Sequence, residues 1–203
     1  MTVTHWEGED VIITFEQKGS NTCTNYEGKI LSIRQTGGTE ETESVQCFGN
    51  KTITIQKPRE DFEIEFEVVV SDTSFAQMWF GGSGNEIRSS SSGSRWRIIV
   101  WFCPSSSHKK SGNVVVPPKS GEMMRYIYKD CYAVSFEEEF SAEDYLKGTL
   151  RFRVSATDAN GYANIFKEYT NDYSTTPLTT LNTTAHGGTL SWNTTTPAWT
   201  SGY

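Results

Sequence analysis

KDCYAVSFEEEFSAEDYLKGTLRFRV, Lys129 to Val154, is the stretch that decides the fold. Tyr132, Val134, Phe136 and Phe140 stand at even spacing, so they are expected to share one face of a strand. Ser141-Ala-Glu-Asp then reads as a capping-box-like helix start, with Asp144 at the third helical position. Gly148 is placed to stop that helix after about two turns. Leu150, Phe152 and Val154 alternate again. The segment reads as strand, one short flanking helix over Ser141–Lys147, strand.

Working outward, the rest of the chain repeats the strand pattern. Phe62, Ile64, Phe66, Val68 and Val70 form one face of a strand, and Glu63, Glu65 and Glu67 form the other. One apolar and one charged face describe an antiparallel sheet with a single wet side. Val11–Phe15, Gly28–Gln35, Arg95–Phe102 and Met123–Tyr128 read as further strands. Ser44–Phe48 and Thr52–Gln56 read as a hairpin around Gly49-Asn50. Asp72 or Ser74 is placed to cap a helical turn over Phe75–Phe80, stopped by Gly81-Gly82. Residues 82–94 and 103–121 read as long polar loops, which in compact domains are mostly functional or disordered. Residues 169–203 read as a Thr/Ser-rich arm that follows a β domain over 1–168.

Composition narrows the function classes. The chain has 203 residues, 13% aromatic, with a formal net charge of −7. That charge disfavours a grip on nucleic acid by phosphate neutralisation. No apolar run reaches membrane-spanning length, and residues 1–20 lack a secretory leader pattern. Cys23, Cys47, Cys103 and Cys131 form no Cys-x-x-Cys pair and have no histidine at metal-ligand spacing. Free thiols are the expectation, and a Cys23–Cys47 bridge the alternative. No cofactor is implied.

The acidic runs do not resemble catalytic machinery. Glu63, Glu65, Glu67, Glu137 and Glu139 repeat along regular strand faces, which marks a wet sheet surface rather than two carboxylates flanking a cleft. Arg151 and Arg153 share parity and are expected to oppose Glu137 and Glu139 across a strand pair. His5, His108 and His186 fall in loops or near the termini, and no HExxH, GxSxG or P-loop motif is present. Six tryptophans raise a second possibility, a sugar-binding platform. Among them Trp96 fits a core face, and Trp101 faces the other way, which calls for a second layer or a partner chain. Trp192 and Trp199 sit in the arm, as candidate tail contacts.

A resemblance adds to this reading. It lies in Glu43-Ser-Val-Gln-Cys-Phe-Gly-Asn50 with Thr52-Ile-Thr-Ile, in Pro58-Arg-Glu-Asp-Phe-Glu-Ile-Glu-Phe66 and in Phe75-Ala-Gln-Met-Trp-Phe-Gly-Gly82. It continues in Tyr132-Ala-Val-Ser-Phe136 and in Ser141-Ala-Glu-Asp-Tyr-Leu-Lys-Gly-Thr-Leu-Arg-Phe152. The pattern resembles a tail tube (major tail) protein of a tailed bacterial or archaeal virus. The resemblance implies a mainly β, antiparallel sandwich or barrel-like unit with one short flanking α-helix and no catalysis. It implies six copies in a ring, inner sheets joined into one barrel, and rings stacked into a virion tail tube. Genomic DNA would pass through that tube without specific binding, and an acidic lumen would repel its phosphates.

Assembly would take place in the host cytoplasm, with no membrane involved. Partners would be the chain itself and, beyond it, tape-measure and tail-completion proteins. On this reading the acidic strand faces are candidate lumen or wet surfaces. Ser141, Asp144, Tyr145 and Leu146 form a candidate subunit-contact helix. Ile87, Arg88, Lys109 and Lys110 mark candidate ring-stacking loops. A carbohydrate-binding β-sandwich and a jelly-roll capsid or decoration protein are the competing readings.

Overall fold

The computed structural model describes residues 7–17, 23–25, 29–39, 42–47, 51–56, 60–83, 86–87, 93–103, 109–111, 114–116, 120–140, 145–157 and 164–172. The elements run in the order β1 (Val11–Gln17), β2 (Cys23–Asn25), β3 (Ile30–Gly37), β4 (Thr42–Cys47), β5 (Lys51–Gln56), β6 (Phe62–Val69) and α1 (Ser74–Phe80). There follow β7 (Gly82–Ser83), β8 (Glu86–Ile87), β9 (Trp96–Phe102), β10 (Lys109–Ser111), β11 (Val114–Val116), β12 (Ser120–Glu139), β13 (Lys147–Val154) and β14 (Ile165–Asp172).

The organising element is β12, 20 residues long. Its first half pairs with β9 on one edge and β14 on the other, and its second half pairs with β13. The strand order is β2-β1-β9-β12-β13-β6-β3, with every pairing antiparallel. One strand therefore serves two sheets, β2-β1-β9-β12-β14 and β12-β13-β6-β3. They fold over one another so that Phe15 of β1 meets Phe66 of β6 at 5.3 Å and Phe152 of β13 at 6.0 Å. The turn from one sheet to the other falls at Asp130, whose φ is 52°. Asp is one of the few side chains that tolerates this left-handed conformation.

The core follows from alternation. Ile64, Phe66 and Val68 of β6 and Leu150, Phe152 and Val154 of β13 are fully buried. They face Ile13, Phe15, Ile98, Val100 and Tyr128 of the first sheet. Each large apolar side chain removed from water contributes about 1.5–3 kcal/mol. The first sheet is buried on its second face as well, through Ile12, Ile99, Trp101, Arg125 and Ile127. Trp101 is only 2% exposed within the single chain and lies against the Arg125 guanidinium at 5.1 Å. Trp101 is thus buried within the single chain.

Among the described residues the α-helix is α1, before β7. α1 fills the position expected for the turn over Phe75–Phe80 and buries Phe75, Ala76 and Met78. The N-cap is Thr73, not Asp72 or Ser74, and its side chain makes no cap bond; Asp72 Oδ1 accepts the Ser74 amide at 2.9 Å, and Gly81, with φ 78°, closes the last turn. In the opening segment, Tyr145 and Leu146 are non-helical and Lys147 already belongs to β13. Gly148 lies inside that strand, opposite Glu138 and Val68. The reason is the ladder: Lys147 and Gly148 have strand partners on both sides, which a helix would forfeit. Ser141 and Asp144 lie outside the described residues.

Three other expectations change. Val134 is a bulge, because Ala133 and Ser135 oppose the adjacent residues Phe152 and Arg151. Parity flips there, so Tyr132 lies on the same side as Arg153, away from Phe136. Phe140, beyond the last ladder pair Glu139–Lys147, is 76% exposed. The presumed loops contain hairpins, β7–β8 and β10–β11, and β12 begins at Ser120. β14 runs to Asp172, across the boundary expected at 168, and residues 173–203 lie outside the described part.

Candidate assembly surface

The outward face of the second sheet is a grid of polar side chains set by register. In one row Arg34 of β3 stands opposite Glu65, Glu65 opposite Arg151, and Arg151 opposite Ser135. The next row reads Ser32, Glu67, Thr149, Glu137, and on the other side lies Thr36, Glu63, Arg153, Tyr132. On β6 and β13 these side chains alternate with buried ones, so there a single period-2 pattern builds core and surface together.

Charges on this face are largely paired. Arg151 Nε donates to Glu65 Oε2 at 2.8 Å, and its Nη1 to Glu137 Oε1 at 2.6 Å. Arg153 lies 3.6 Å from Glu63, and Ser32 Oγ donates to Glu67 at 3.3 Å. The hydrogen bonds to Glu65 and then Glu137 raise the Arg151 pKa further above its usual value. Arg151 thus meets Glu137 as expected, but diagonally, while its direct neighbour on β12 is Ser135. The expected acidic lumen face is consequently a mixed one, with Arg34, Arg151 and Arg153 among the glutamates.

Among the described strands this sheet ends in two unpaired edges. β3 pairs only with β6, and Tyr132–Glu139 of β12 pairs only with β13 among the described strands. At the end where β3 begins, Leu31, Phe140 and Tyr145 are large apolar side chains left exposed. Ile87, in the β7–β8 hairpin, is 44% exposed. Lys109 and Lys110 fall in β10, with no description of their side chains, and Arg88, Trp192 and Trp199 lie outside the described residues. Reasoning from sequence missed the edges altogether, because strand order is not written in local periodicity.

Nothing in this grid is arranged for catalysis. Its carboxylates are bound to arginines, hydrogen-bonded to Ser32 in the case of Glu67, or exposed, and no His/Cys/Asp/Glu cluster suited to a metal occurs among the described residues. Cys103 and Cys131 are buried in the core without a disulfide, and burial pushes the Cys103 thiol up to about 12 and the Cys131 thiol well above its ordinary value. Neither is a reactive nucleophile. The side chains of Cys23 and Cys47 are outside the described part. Trp101 is buried and Trp96 and Trp79 are packed against the core, so these three form no sugar platform. No helix among the described residues is long and apolar enough to cross a membrane.

No family model and no curated protein matches the chain. Solved structures do. A chain of the sheath–tube complex of an extracellular contractile injection system in its extended state aligns at a TM-score of 0.50. The match has 8% identity and covers 83% of this chain and 95% of the other. A chain of the sheath/tube terminator of such a system aligns at 0.51, again with 8% identity, covering 83% and 99%. The fold implied by the resemblance, a mainly antiparallel β unit with one α-helix among the described residues, is thus shared with chains of contractile injection systems.

Proposed function

We propose that this chain is a structural subunit of a viral tail tube, without catalysis, that closes into six-membered rings and stacks them into a conduit. The observation that carries the proposal is the second sheet, which combines an ordered polar face with two edges that no described strand pairs. Open edges are a liability in a monomer because they invite pairing with other chains. The edge pairing of a ring removes that liability. β3 and β12 run in opposite directions across the sheet, so β3 of one copy beside Tyr132–Glu139 of the next continues the antiparallel ladder.

The grid of Glu63, Glu65, Glu67 and Glu137 with Arg151 and Arg153 then lines the lumen. Paired charges hydrate such a wall while offering DNA phosphates few free cations. Ile87 and the β10–β11 hairpin are the proposed ring-to-ring contacts, and the apolar rim of Leu31, Phe140 and Tyr145 is a second one. Tape-measure and tail-completion proteins are the further partners, in a virion tail assembled in the host cytoplasm.

Electron microscopy of the purified full-length chain, with mass by light scattering, tests this. Six-fold rings or tubes are expected. A protein that remains monomeric at high concentration ends the proposal.

A further inference from the structure

We propose that ring closure is specified by an ion pair between copies, Arg34 on the β3 edge of one subunit and Glu139 on the β12 edge of its neighbour. This rests on the ring reading above and adds to it the residues that set the seam. Arg34 is exposed and stands directly opposite Glu65, yet Glu65 is taken by Arg151 at 2.8 Å. No described residue forms an ion pair with Arg34, which makes it the uncommitted cation of the polar face. Glu139 is its counterpart on the opposite edge. It is exposed, it lies on the same face through its register with Lys147, and it too forms no ion pair with a described residue. Lys147 turns its ammonium over the Tyr145 ring at 5.0 Å.

Geometry selects Glu139 among the acidic residues. Within one copy the row of Arg34 ends at Ser135. A sheet that closes on itself must tilt its strands and stagger the register, so the row does not meet its own level in the next copy. Stagger in one direction brings Arg34 towards Tyr132 and the bend at Asp130. Stagger in the other brings it to Glu137 and then Glu139, about 13 Å beyond Ser135 at about 3.3 Å per residue. Glu137 is already held by Arg151 at 2.6 Å. Glu139 is the carboxylate left to receive Arg34.

Charge reversal in the full-length chain tests the pair. Arg34→Glu places two carboxylates at every seam, and Glu139→Arg places two arginines there. Both sites are exposed, so both variants are expected to fold, which circular dichroism and a melting curve verify. Each alone is expected to raise the concentration needed for ring formation by about tenfold or more, since like charges across an interface oppose association. Mixed in equal amounts, the two variants are expected to assemble again, in rings that alternate strictly. The double variant Arg34→Glu/Glu139→Arg is expected to assemble by itself. Rings from either single variant at wild-type concentrations, or a mixture that stays unassembled, overturn the seam pair while wild-type rings leave the tube reading standing. Absence of rings from the wild type overturns both.

Discussion

Arg151 Nε donates to Glu65 at 2.8 Å across the β13–β6 pair, so the cation that serves the wet face is held between two strands on the back of the core. Its other nitrogen reaches Glu137 on β12, which ties three strands with one side chain. The residue is 30% exposed and its acidic partners are 35% and 64% exposed, so solvent screens much of the attraction. Arg151→Met is expected to cost about 1 kcal/mol, partly by leaving Glu63, Glu65 and Glu137 facing one another. Urea unfolding measures it, and a double-mutant cycle with Glu65→Gln is expected to return a coupling below about 1 kcal/mol. A coupling of zero would make the contact decorative.

Gly148 was legible as a glycine with a purpose, and its purpose was misread. The sequence Leu-Lys-Gly after Ser-Ala-Glu-Asp favours a helix stop, whereas the strand places Gly148 beneath the Phe136 ring. A Cβ there would lie 2.8 Å from Phe136 Cε2 and 3.0 Å from Val70 Cγ2. Both neighbours belong to well-packed parts of the structure, since Phe136 is buried and Val70 packs on the core. Gly148→Ala is therefore expected to destabilise by about 1–3 kcal/mol, as overpacking does, although Ala normally stabilises a strand relative to Gly. A thermal melt compared with the wild type decides, and a rise in melting temperature would show that the ring moves aside freely.

How far local pattern reaches is clear from neighbouring strands. β6 was readable residue by residue because Phe62 to Val68 alternates without interruption and its polar partners are all glutamates. β12 was not, since the Asp130 bend and the Val134 bulge each break the period, and each break reverses the faces that follow. The glutamates of the wet face were found from spacing alone. Their arginine partners were assigned to the right face, but Arg151 stands directly opposite Ser135, two residues from Glu137, and Arg153 stands opposite Tyr132 and meets Glu63 of β6 instead of Glu139. Arg34 and the open edges were missed, as they exist only once β3, β6, β13 and β12 are placed side by side.

Lys29 and Asp72 join the start of β3 to the entry of α1 with a contact of 2.5 Å. The hydrogen bonds from Lys29 and then Ser74 lower the Asp72 pKa from 3.8 to about 2. A carboxylate with a depressed folded-state pKa adds stability that is complete above its unfolded value and disappears as pH falls through the folded one. The wild type is therefore expected to lose this contribution between about pH 4 and pH 2. Asp72 is 45% exposed, so the effect is held to about 1 kcal/mol or less. Asp72→Asn is expected to show a flatter stability profile over that window and a matched loss at neutral pH. Unfolding midpoints at a series of pH values supply the measurement, and parallel wild-type and variant profiles would remove Asp72 from the helix entry.

If the polar face of the second sheet lines a conduit, access to it must depend on assembly and on probe size. Glu67 is a suitable reporter: it points away from the buried Phe66 and Val68, and it accepts only the Ser32 hydroxyl among described side chains. In Glu67→Cys, a small maleimide is expected to label subunits both before and after ring formation. A maleimide carried on a folded protein is expected to label free subunits at a similar rate and to be slowed about tenfold or more once tubes form, because a narrow lumen excludes it on the μs–ms timescale of local opening. The buried thiols Cys103 and Cys131 stay silent in both states, and the labelled peptide is identified by mass spectrometry. Equal labelling of tubes and subunits by the large reagent would put this face on the outside of the tube and reassign the lumen to another surface.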